Sequence, residues 1–459
     1  MKYTAFENYS RSQSVWLDQL PSHWAQLRVK HVIDRMESGV SVNSEASPAS
    51  LDEIGVLKTS CVYGDQFNAV ENKRVLDDEL HRVACRVRAD RLIISRMNTP
   101  ELVGSCGHVT QDHPNLYLPD RLWQTIFNTG RDCSPRFAWY YITSRPAKSA
   151  ISSLAAGTSG SMQNIAQDAF MGISFPLPPK NEQQAIVRFL DAKTAQIDEL
   201  IANKRQLIYI LKEKRQTLIS RTVTRGLPPE VAKVAGLEPT PKMKDSGVDW
   251  LDRLPTHWQI LPMTKYLSEM SDYRGKTPEK TNEGVFLVTA RNVRMGYIDY
   301  ECSQEFVSPD EYHEIMRRGL PKVGDILFTT EAPLGNVALV DREDIALAQR
   351  IIRFRLRPSH FSSQFALYAM MADYFQSQLK SLSTGSTAEG LKASKLSVLR
   401  LVCPPPLEQK KIEHFLNTQC AGLDALVSTA EEAIQRLTEY RQAMITSAVT
   451  GKINVRGLV

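Results

Sequence analysis

The chain has 459 residues, 42% hydrophobic and 23% charged, with a formal charge of +5 at neutral pH, enough length for two to four domains with substantial cores. The mild charge excludes a basic coat that binds nucleic acid indiscriminately, so any anionic partner has to be met by local patches, and no run of about 18 apolar residues is present to span a membrane. The cysteines (Cys61, Cys85, Cys106, Cys133, Cys302, Cys403 and Cys420) are odd in number and form no CxxC, which points away from disulfides and zinc and toward a reducing cytoplasm.

The chain opens with a leader, MKYTAFENYSRSQ, that has no apolar core of a secretory signal and reads as flexible. WLDQLPSHW follows at residues 16 to 24 and returns as WLDRLPTHW at 250 to 258. The body from Ala25 to Phe175 mixes short β-type runs (GVLKTSCVY, DRLIISRM, LWQTIFN) with one helical run, SPRFAWYYITSRPAKSAIS. It closes on GTSGSMQNIAQDAFMGISFPLPP, a polar glycine-bearing loop, a short apolar strand and a proline stop.

Beyond those prolines a long helix is predicted over 180–225. Ile186, Leu190, Ile197, Leu200, Leu207, Leu211 and Leu218 fall on alternating steps of four and three, with Lys193, Lys204 and Lys214 in the skipped places, the pattern of a coiled-coil seam. Those lysines read as buried register-setting polar residues, as part of a partner-binding surface or, by default, as stems running past an apolar stripe with their charges in water. Phe189, Ile201, Ile208 and Ile219 fall outside the seam and are expected on the outer faces. Gly226, Pro228 and Pro229 supply the stop, and LPPEVAKVAGLEPTPKMKDSGVD reads as a linker over 226–249.

The second body, Gln259 to Val402, repeats the order of elements with different residues: GVFLVTARNV, DILFTTEAP, NVALVD and IIRFRLR, then FSSQFALYAMMADYFQSQL as its helix. STGSTAEGLKASKLSVLRLVCPPP again sets a polar loop, a strand and prolines before a second long helix over 407–452. A shift of 226 superposes Glu182, Gln183, Ile186, Phe189, Leu190, Asp198, Ile208, Leu211, Arg215, Gln216, Ile219, Val223 and Thr224 on identical residues from Glu408 to Thr450. Its seam runs through Ile412, Leu416, Leu423, Leu426, Ala430, Ala433, Leu437, Tyr440 and Met444. The chain is therefore a tandem duplication of signature, variable body and long helix, and the simplest way to cover two such stripes is to pack the helices on each other.

A search for catalytic machinery returns almost nothing. The GKT at Gly275 to Thr277 has Met270 where a phosphate loop needs glycine, and no adenine-methyltransferase motif, HExxH or GxSxG occurs. His23 and His257 sit beside tryptophan in the repeated signature, where a packing or hydrogen-bonding role outweighs a catalytic one. The chain reads as a non-enzyme.

Recognition is left. Candidate contacts to DNA are Arg96 and Asn98 in ISRMNTP, Ser159, Ser161, Gln163 and Asn164 in the first polar loop, Arg274, Lys276 and Thr277 in YRGKTP, Arg291, Asn292 and Arg294 in TARNVR, and Ser386, Lys392 and Lys395 in the second polar loop. Arginine engages guanine and asparagine adenine through paired hydrogen bonds, while lysine and threonine more often meet phosphate. The alternative for each residue taken singly is a solvated loop side chain; as clusters beside glycine they allow close backbone approach to a duplex.

The order of body, long helix, KDSGVDWLDRLPTHW, body and PPPLEQKKIEHFL, together with YRGKTP, GVFLVTARNV and VGDILFTT, resembles the DNA-specificity (S) subunit of type I restriction-modification systems over essentially the whole chain. The leader lacks the KDSG lead-in, and the first body has ESGVSVNSEASP where the second has YRGKTPEK, so contacts in the first body are less directly transferable. The resemblance implies an α+β fold, with two pseudo-symmetric mixed α/β target recognition domains separated by a long antiparallel two-helix coiled coil that acts as a ruler. The corresponding segments are recognition domain 1 over 1–179, spacer helix 180–225, linker 226–249, recognition domain 2 over 250–406, spacer helix 407–452 and a tail, 453–459. Implied partners are double-stranded DNA with a bipartite asymmetric site, two methyltransferase (M) subunits and restriction (R) subunits. This chain would hold no cofactor; S-adenosylmethionine, ATP and magnesium would sit on the partners. A coiled-coil scaffold that binds only proteins is the rival reading.

Overall fold

The computed structural model describes residues 3–159, 162–273, 275, 277–383 and 390–458, and at 158, 159 and 393 the backbone only. The chain divides into two units, Met1–Lys204 with Glu432–Val459, and Arg205–Glu431. Two long helices, Lys180–Arg225 and Pro406–Val449, each contribute to both.

In the first unit a hairpin of Tyr9–Arg11 and Gln19–Pro21 presents the tryptophan signature, so the leader expected to be flexible is partly strand, with Phe6 buried beneath it. Ala25–Arg28 then pairs with Ser174–Leu177, the strand that runs through Pro178 and Pro179 into the long helix. Between them lies an antiparallel sheet in the order Cys106–Val109, Arg91–Ser95, Leu122–Phe127, Ile33–Ser38. A second four-stranded sheet contains one parallel pair, Gly55–Leu57 with His113–Tyr117. The run GVLKTSCVY extends only over Gly55–Leu57 and then turns into a 3-10 segment, Thr59–Asp65. The helical run divides into Pro135–Ile142 and Arg145–Leu154, because the residue before Pro146 and the proline itself favour a fresh start over continuation.

The second unit repeats this plan. Met243–Val248 pairs with Leu251–Pro255, and Gln259–Pro262 with Arg400–Cys403. The antiparallel sheet runs Leu267–Asp272, Ile351–Leu356, Ile326–Thr329, Val337–Leu339. A parallel pair, Val285–Val288 with Ile345–Leu347, recurs beside it, and two helices follow, Ser363–Met371 and Asp373–Leu382. The stretch 226–249, expected as a linker, is structured. Its prolines start a helix, Pro229–Val234, as well as stopping one, and Ala232 is buried in the unit's core.

Identical residues of the long helices hold each unit together. Glu182 is buried and accepts from the His23 ring nitrogen at 2.9 Å and the Trp24 indole N–H at 2.9 Å. Glu408 does the same for His257 at 2.9 Å and Trp258 at 3.0 Å. The next residue, Gln183, accepts from the Ser134 backbone N–H at 2.8 Å where the first short helix begins, and donates to the Pro178 carbonyl at 2.9 Å. Gln409 accepts from the Ser362 N–H at 3.0 Å and donates to Pro404 at 2.8 Å. At the other end, Gln442 donates to the Thr143 carbonyl at 2.9 Å and Gln216 to that of Met371 at 2.9 Å, each at the break between the two short helices of its unit. Each long helix ends at a glycine in the left-handed region, Gly226 and Gly451; a Cβ at Gly451 would meet the rings of Pro21 and Trp24.

The helices run antiparallel within each unit, as the resemblance implies. In the first, Ile186 and Leu190 share a core with Met444, Ile445 and Val449, and Asp198 meets Arg441 at 2.9 Å. In the second, Ile219 and Val223 share a core with Ile412 and Leu416, and Arg215 meets Asp424 at 2.9 Å. The stripe differs from the heptad seam. Leu200, Leu207, Leu426 and Tyr440 are exposed, whereas Phe189, Ile201 and Ile219, expected on outer faces, are buried. Buried or half-buried positions follow steps of eleven: Ile186, Ile197, Ile208 and Ile219 on one helix, Ile412, Leu423, Ile434 and Ile445 on the other. Eleven residues make about 3.67 per turn against 3.5 for a heptad, so the true stripe crosses the predicted one and leaves it near mid-helix. Lys193, Lys204 and Lys214 are all at least partly exposed, as stems with solvated charges require.

The central sheets differ in charge at one buried position. Gln124 in the first unit faces Ile93 across the sheet, as Arg353 faces Leu327 in the second. Arg353 pairs with Asp325 at 2.8 Å, and Arg355 reaches the same carboxylate at 2.7 Å. Burial raises the Asp325 pKa, but hydrogen bonds from Arg355 and Arg353 more than offset this and hold it below the usual carboxylate value. A depressed folded-state pKa means stabilisation that is present above the unfolded value, about 3.9, and is lost as pH falls through the folded one.

Two predictions follow from these contacts. Glu182→Ala leaves the indole N–H without an acceptor and is expected to cost about 1–3 kcal/mol in urea unfolding, with Glu182→Gln, which keeps one acceptor, losing less. Asp325→Asn is expected to cost about 3–5 kcal/mol at neutral pH and to flatten the loss of stability on acidification below about pH 4; an unchanged acid profile would remove Asp325 from that role.

Candidate nucleic-acid interface

The loops that carry the candidate residues hang from the central sheet in the same way in both units. After Arg91–Ser95 the chain turns through Arg96, whose N–H donates to the Arg121 carbonyl at 3.1 Å and whose carbonyl accepts from Ile165 at 3.0 Å. After Ile326–Thr329, Thr330 donates to the Arg350 carbonyl at 3.1 Å and accepts from Leu391 at 3.0 Å. Each loop is thus tied both to the start of the next central strand and to the end of the polar glycine-bearing segment.

In the first unit this gathers most of the expected residues. Met97–Asn98 pairs with Met162–Asn164, which pairs with Ala156–Ser159, so Asn98, the Ser159 backbone, Gln163 and Asn164 share one small sheet, with Arg96 immediately before it. Arg96 Nε and Gln163 Oε1 are enclosed with no hydrogen-bond partner among the described residues, while Asn164 is exposed. Asn98 is different from its expected role. It is 9% exposed, its amide N–H groups face Tyr63 Oη and Ser95 Oγ at 3.2 and 3.4 Å, and its oxygen accepts from Thr99 N–H at 2.9 Å. Ser161 lies outside the described residues.

In the second unit Thr277 and Arg291 line one cleft with Lys280, Thr289, Gln349 and Arg350. Gln349 donates to Thr277 Oγ1 at 3.1 Å. Lys392 and Lys395 are exposed at the start of and within the 3-10 segment Ala393–Val398, two residues and more beyond the bridge of Gly390 to Glu331. Arg294 is exposed on a separate turn, with Nε 3.4 Å from Asp299. Arg274, Lys276 and Ser386 lie outside the described residues. Asn292 corrects the expectation most sharply, because it is fully buried. Its oxygen accepts from Thr289 N–H at 2.9 Å and Thr289 Oγ1 at 2.8 Å, and its nitrogen donates to the Asp299 and Ser303 carbonyls at 2.9 and 2.8 Å. Every hydrogen-bonding position of the amide is used, so Asn292 builds the loop from which Arg291 projects.

Sequence reasoning missed Tyr63, Lys280, Gln349, Arg350 and Arg121. The signal for the last two was present, since RLWQTIF and RIIRFRL open the same strand of the two central sheets.

Two mixed α/β domains of one topology, each fixed by the same glutamate and glutamine to a copy of one helix and each bearing its own polar loops, define a duplicated recognition protein. The family model described as type I restriction modification DNA specificity domain matches residues 67–209 and 268–436, and the chain belongs to that family. It is similar to the type I restriction enzyme MjaVIII specificity subunit of Methanocaldococcus jannaschii, 23% identical over 301 residues, covering 64% of this chain and 65% of that protein. It is similar also to the EcoKI specificity subunit of Escherichia coli K12, 23% identical over 335 residues, covering 70% and 66%. The chain spans just under two thirds of the length of these two relatives. A chain from a solved structure concerned with complex assembly and conformational transition of the type I R-M system superposes with a TM-score of 0.64 at 16% identity, covering 95% of this chain and 99% of that one, which bears on the fold.

Asn292→Ala strands the Thr289 N–H and two carbonyls and is expected to cost about 2–3 kcal/mol in chemical denaturation. Arg291→Ala, at an exposed side chain, is expected to stay within about 0.5 kcal/mol of the parent; equal losses in both would contradict the division of labour between them.

Proposed function

We propose that the chain is the DNA-reading specificity subunit of a type I restriction-modification complex, in which each unit reads one half of a bipartite duplex site. The observation that carries this reading is the contrast within the duplication. The residues that dock each domain onto its helices are identical in the two copies, while the loops at the candidate interface differ, with Arg96, Gln163 and Asn164 in one and Thr277, Arg291 and Lys392 in the other. Different loops on one scaffold read different half-sites, so the whole site is asymmetric.

The chain supplies positioning and base contacts rather than bond-making chemistry. The candidate side chains are those of phosphate and base-edge recognition. Two methyltransferase subunits, carrying S-adenosylmethionine and acting on adenines flipped from the duplex, are the proposed partners for the exposed apolar side chains of the long helices, Leu200, Leu207, Tyr209, Ile210 and Leu426. Restriction subunits with ATP and magnesium complete the assembly, which acts on DNA in the cytoplasm.

The test is selection from a random duplex pool by the chain purified with its methyltransferase subunit. A single motif of two unlike halves is expected, bound with an affinity that falls steeply as salt rises. Retention of the pool without sequence enrichment would leave the protein-scaffold reading in its place.

A further inference from the structure

Arg121 and Arg350 occupy one position of the repeated fold and were assigned no role by the sequence. Each immediately precedes the residue that pairs with the last residue of the neighbouring central strand, Leu122 with Ser95 and Ile351 with Thr329. Each gives its carbonyl to the first residue of the recognition loop, at 3.1 Å in both units. Both side chains are exposed. Two bonds from a sheet strand to a loop therefore fix two arginines at the foot of the surface already described, and fixing the backbone lowers the entropy lost when the guanidinium engages a ligand.

Their surroundings differ. Arg350 Nε lies 2.9 Å from Glu331 Oε1, with both side chains about half exposed, 50% and 46%. Glu331 is itself held by the bridge to Gly390, and Arg350 lines the cleft that contains Thr277, Lys280 and Arg291. In the first unit Met97 stands where Glu331 does, in the same bridge to the polar segment, and among the described residues no carboxylate lies within ion-pair distance of Arg121.

A carboxylate on a surface that meets DNA is repelled by phosphate unless it has a specific partner. With Nε of Arg350 taken by Glu331, the terminal guanidinium nitrogens still donate to a guanine O6 and N7, and the second carboxylate oxygen still accepts from a cytosine N4 amino group. The donors and the acceptor sit on adjoining groups, as the two bases of one G·C pair present their partners in the major groove. We propose that Arg350 and Glu331 together read a G·C base pair in the half-site of the second unit, and that Arg121, with no carboxylate within ion-pair distance among the described residues, meets backbone phosphate in the other half-site. This rests on the DNA-reading function proposed above and assigns two of its contacts.

The experiment uses the full chain with its methyltransferase subunit, and compares the selected motif and the salt dependence of binding for parent, Arg350→Lys, Glu331→Gln and Arg121→Ala. Lysine keeps the charge but loses the flat fork, so Arg350→Lys is expected to relax one G·C position of one half-site about tenfold or more, and Glu331→Gln to relax the same position. Arg121→Ala is expected to weaken binding evenly across sequences and to reduce the salt slope by about one. A parent complex that selects a motif while both Arg350→Lys and Glu331→Gln select the same motif with the same strength overturns the base-pair assignment and leaves the proposed function standing. If the parent itself selects nothing, the function fails first. Unchanged thermal midpoints of the variants separate loss of contact from loss of fold, and Arg350→Gln, shorter and uncharged, serves where Arg350→Lys does not fold.

Discussion

A buried carboxylate at the third residue of each long helix is the contact on which the remaining architecture depends. Glu182 and Glu408 are 5% and 8% exposed, a position where an isolated charge is costly. Three features offset that cost. The helix N-terminus favours a negative charge in its first turn, the indole N–H and the imidazole supply two directed hydrogen bonds, and the Pro179 and Pro405 carbonyls accept the first helical N–H groups so that the turn is already formed. The arrangement specifies direction as well as affinity: the His-Trp pair can reach only the start of a helix, so each domain is seated at one end of one helix and in one orientation.

The other identical polar residues extend the same principle along the rod. Gln183 and Gln409 anchor the start of the short helices, Gln442 and Gln216 their break, and the Asp198–Arg441 and Asp424–Arg215 pairs are a single pair repeated under the shift of 226. A domain bound at three separated stations by groups of fixed geometry is free to change wherever it does not touch them. The central sheets show how far that freedom extends, since a neutral glutamine in one unit stands where the other has a buried arginine with its own ionic network. Docking and reading are separate problems on this scaffold, and only docking demands identity.

Much of this was legible in the sequence. The duplication, the two long helices and their packing on each other could be read because each rests on many residues at once, their antiparallel direction came from the family resemblance, and the prolines before Lys180 and Pro406 mark where the helices begin. The seam could not be placed, because steps of four and three fit both a seven- and an eleven-residue repeat over the first turns and diverge only near Leu200, about four turns beyond Ile186, where the domain's own Phe175 and Trp24 no longer help to bury a face. The stretch 226–249 looked like a linker since proline and small residues signal turns, yet Val231, Ala232 and Leu237 are enough to fasten it to the second core. Burial of that kind is decided by a surface the local sequence does not contain.

The asparagines make the same point about the site, and with more consequence. Asn98 and Asn292 have the amide that pairs with adenine, and nothing in a single sequence separates an amide turned outward from one turned inward. The structure turns both inward, where each ties down its loop; beside Asn292 the neighbouring Arg291 faces out, whereas Arg96, two residues before Asn98, is half-buried with its Nε enclosed. A loop that approaches a duplex has few apolar contacts to hold it, and its backbone hydrogen bonds would otherwise go to water. An internal amide with four hydrogen-bonding positions is the most compact way to fix such a turn. The exposed guanidinium then carries the contact with less conformational entropy to lose, because the backbone beneath it is already ordered. The residue types expected to read bases are thus divided between holding the loop and facing the ligand, and the division follows from which of them can satisfy a backbone from within.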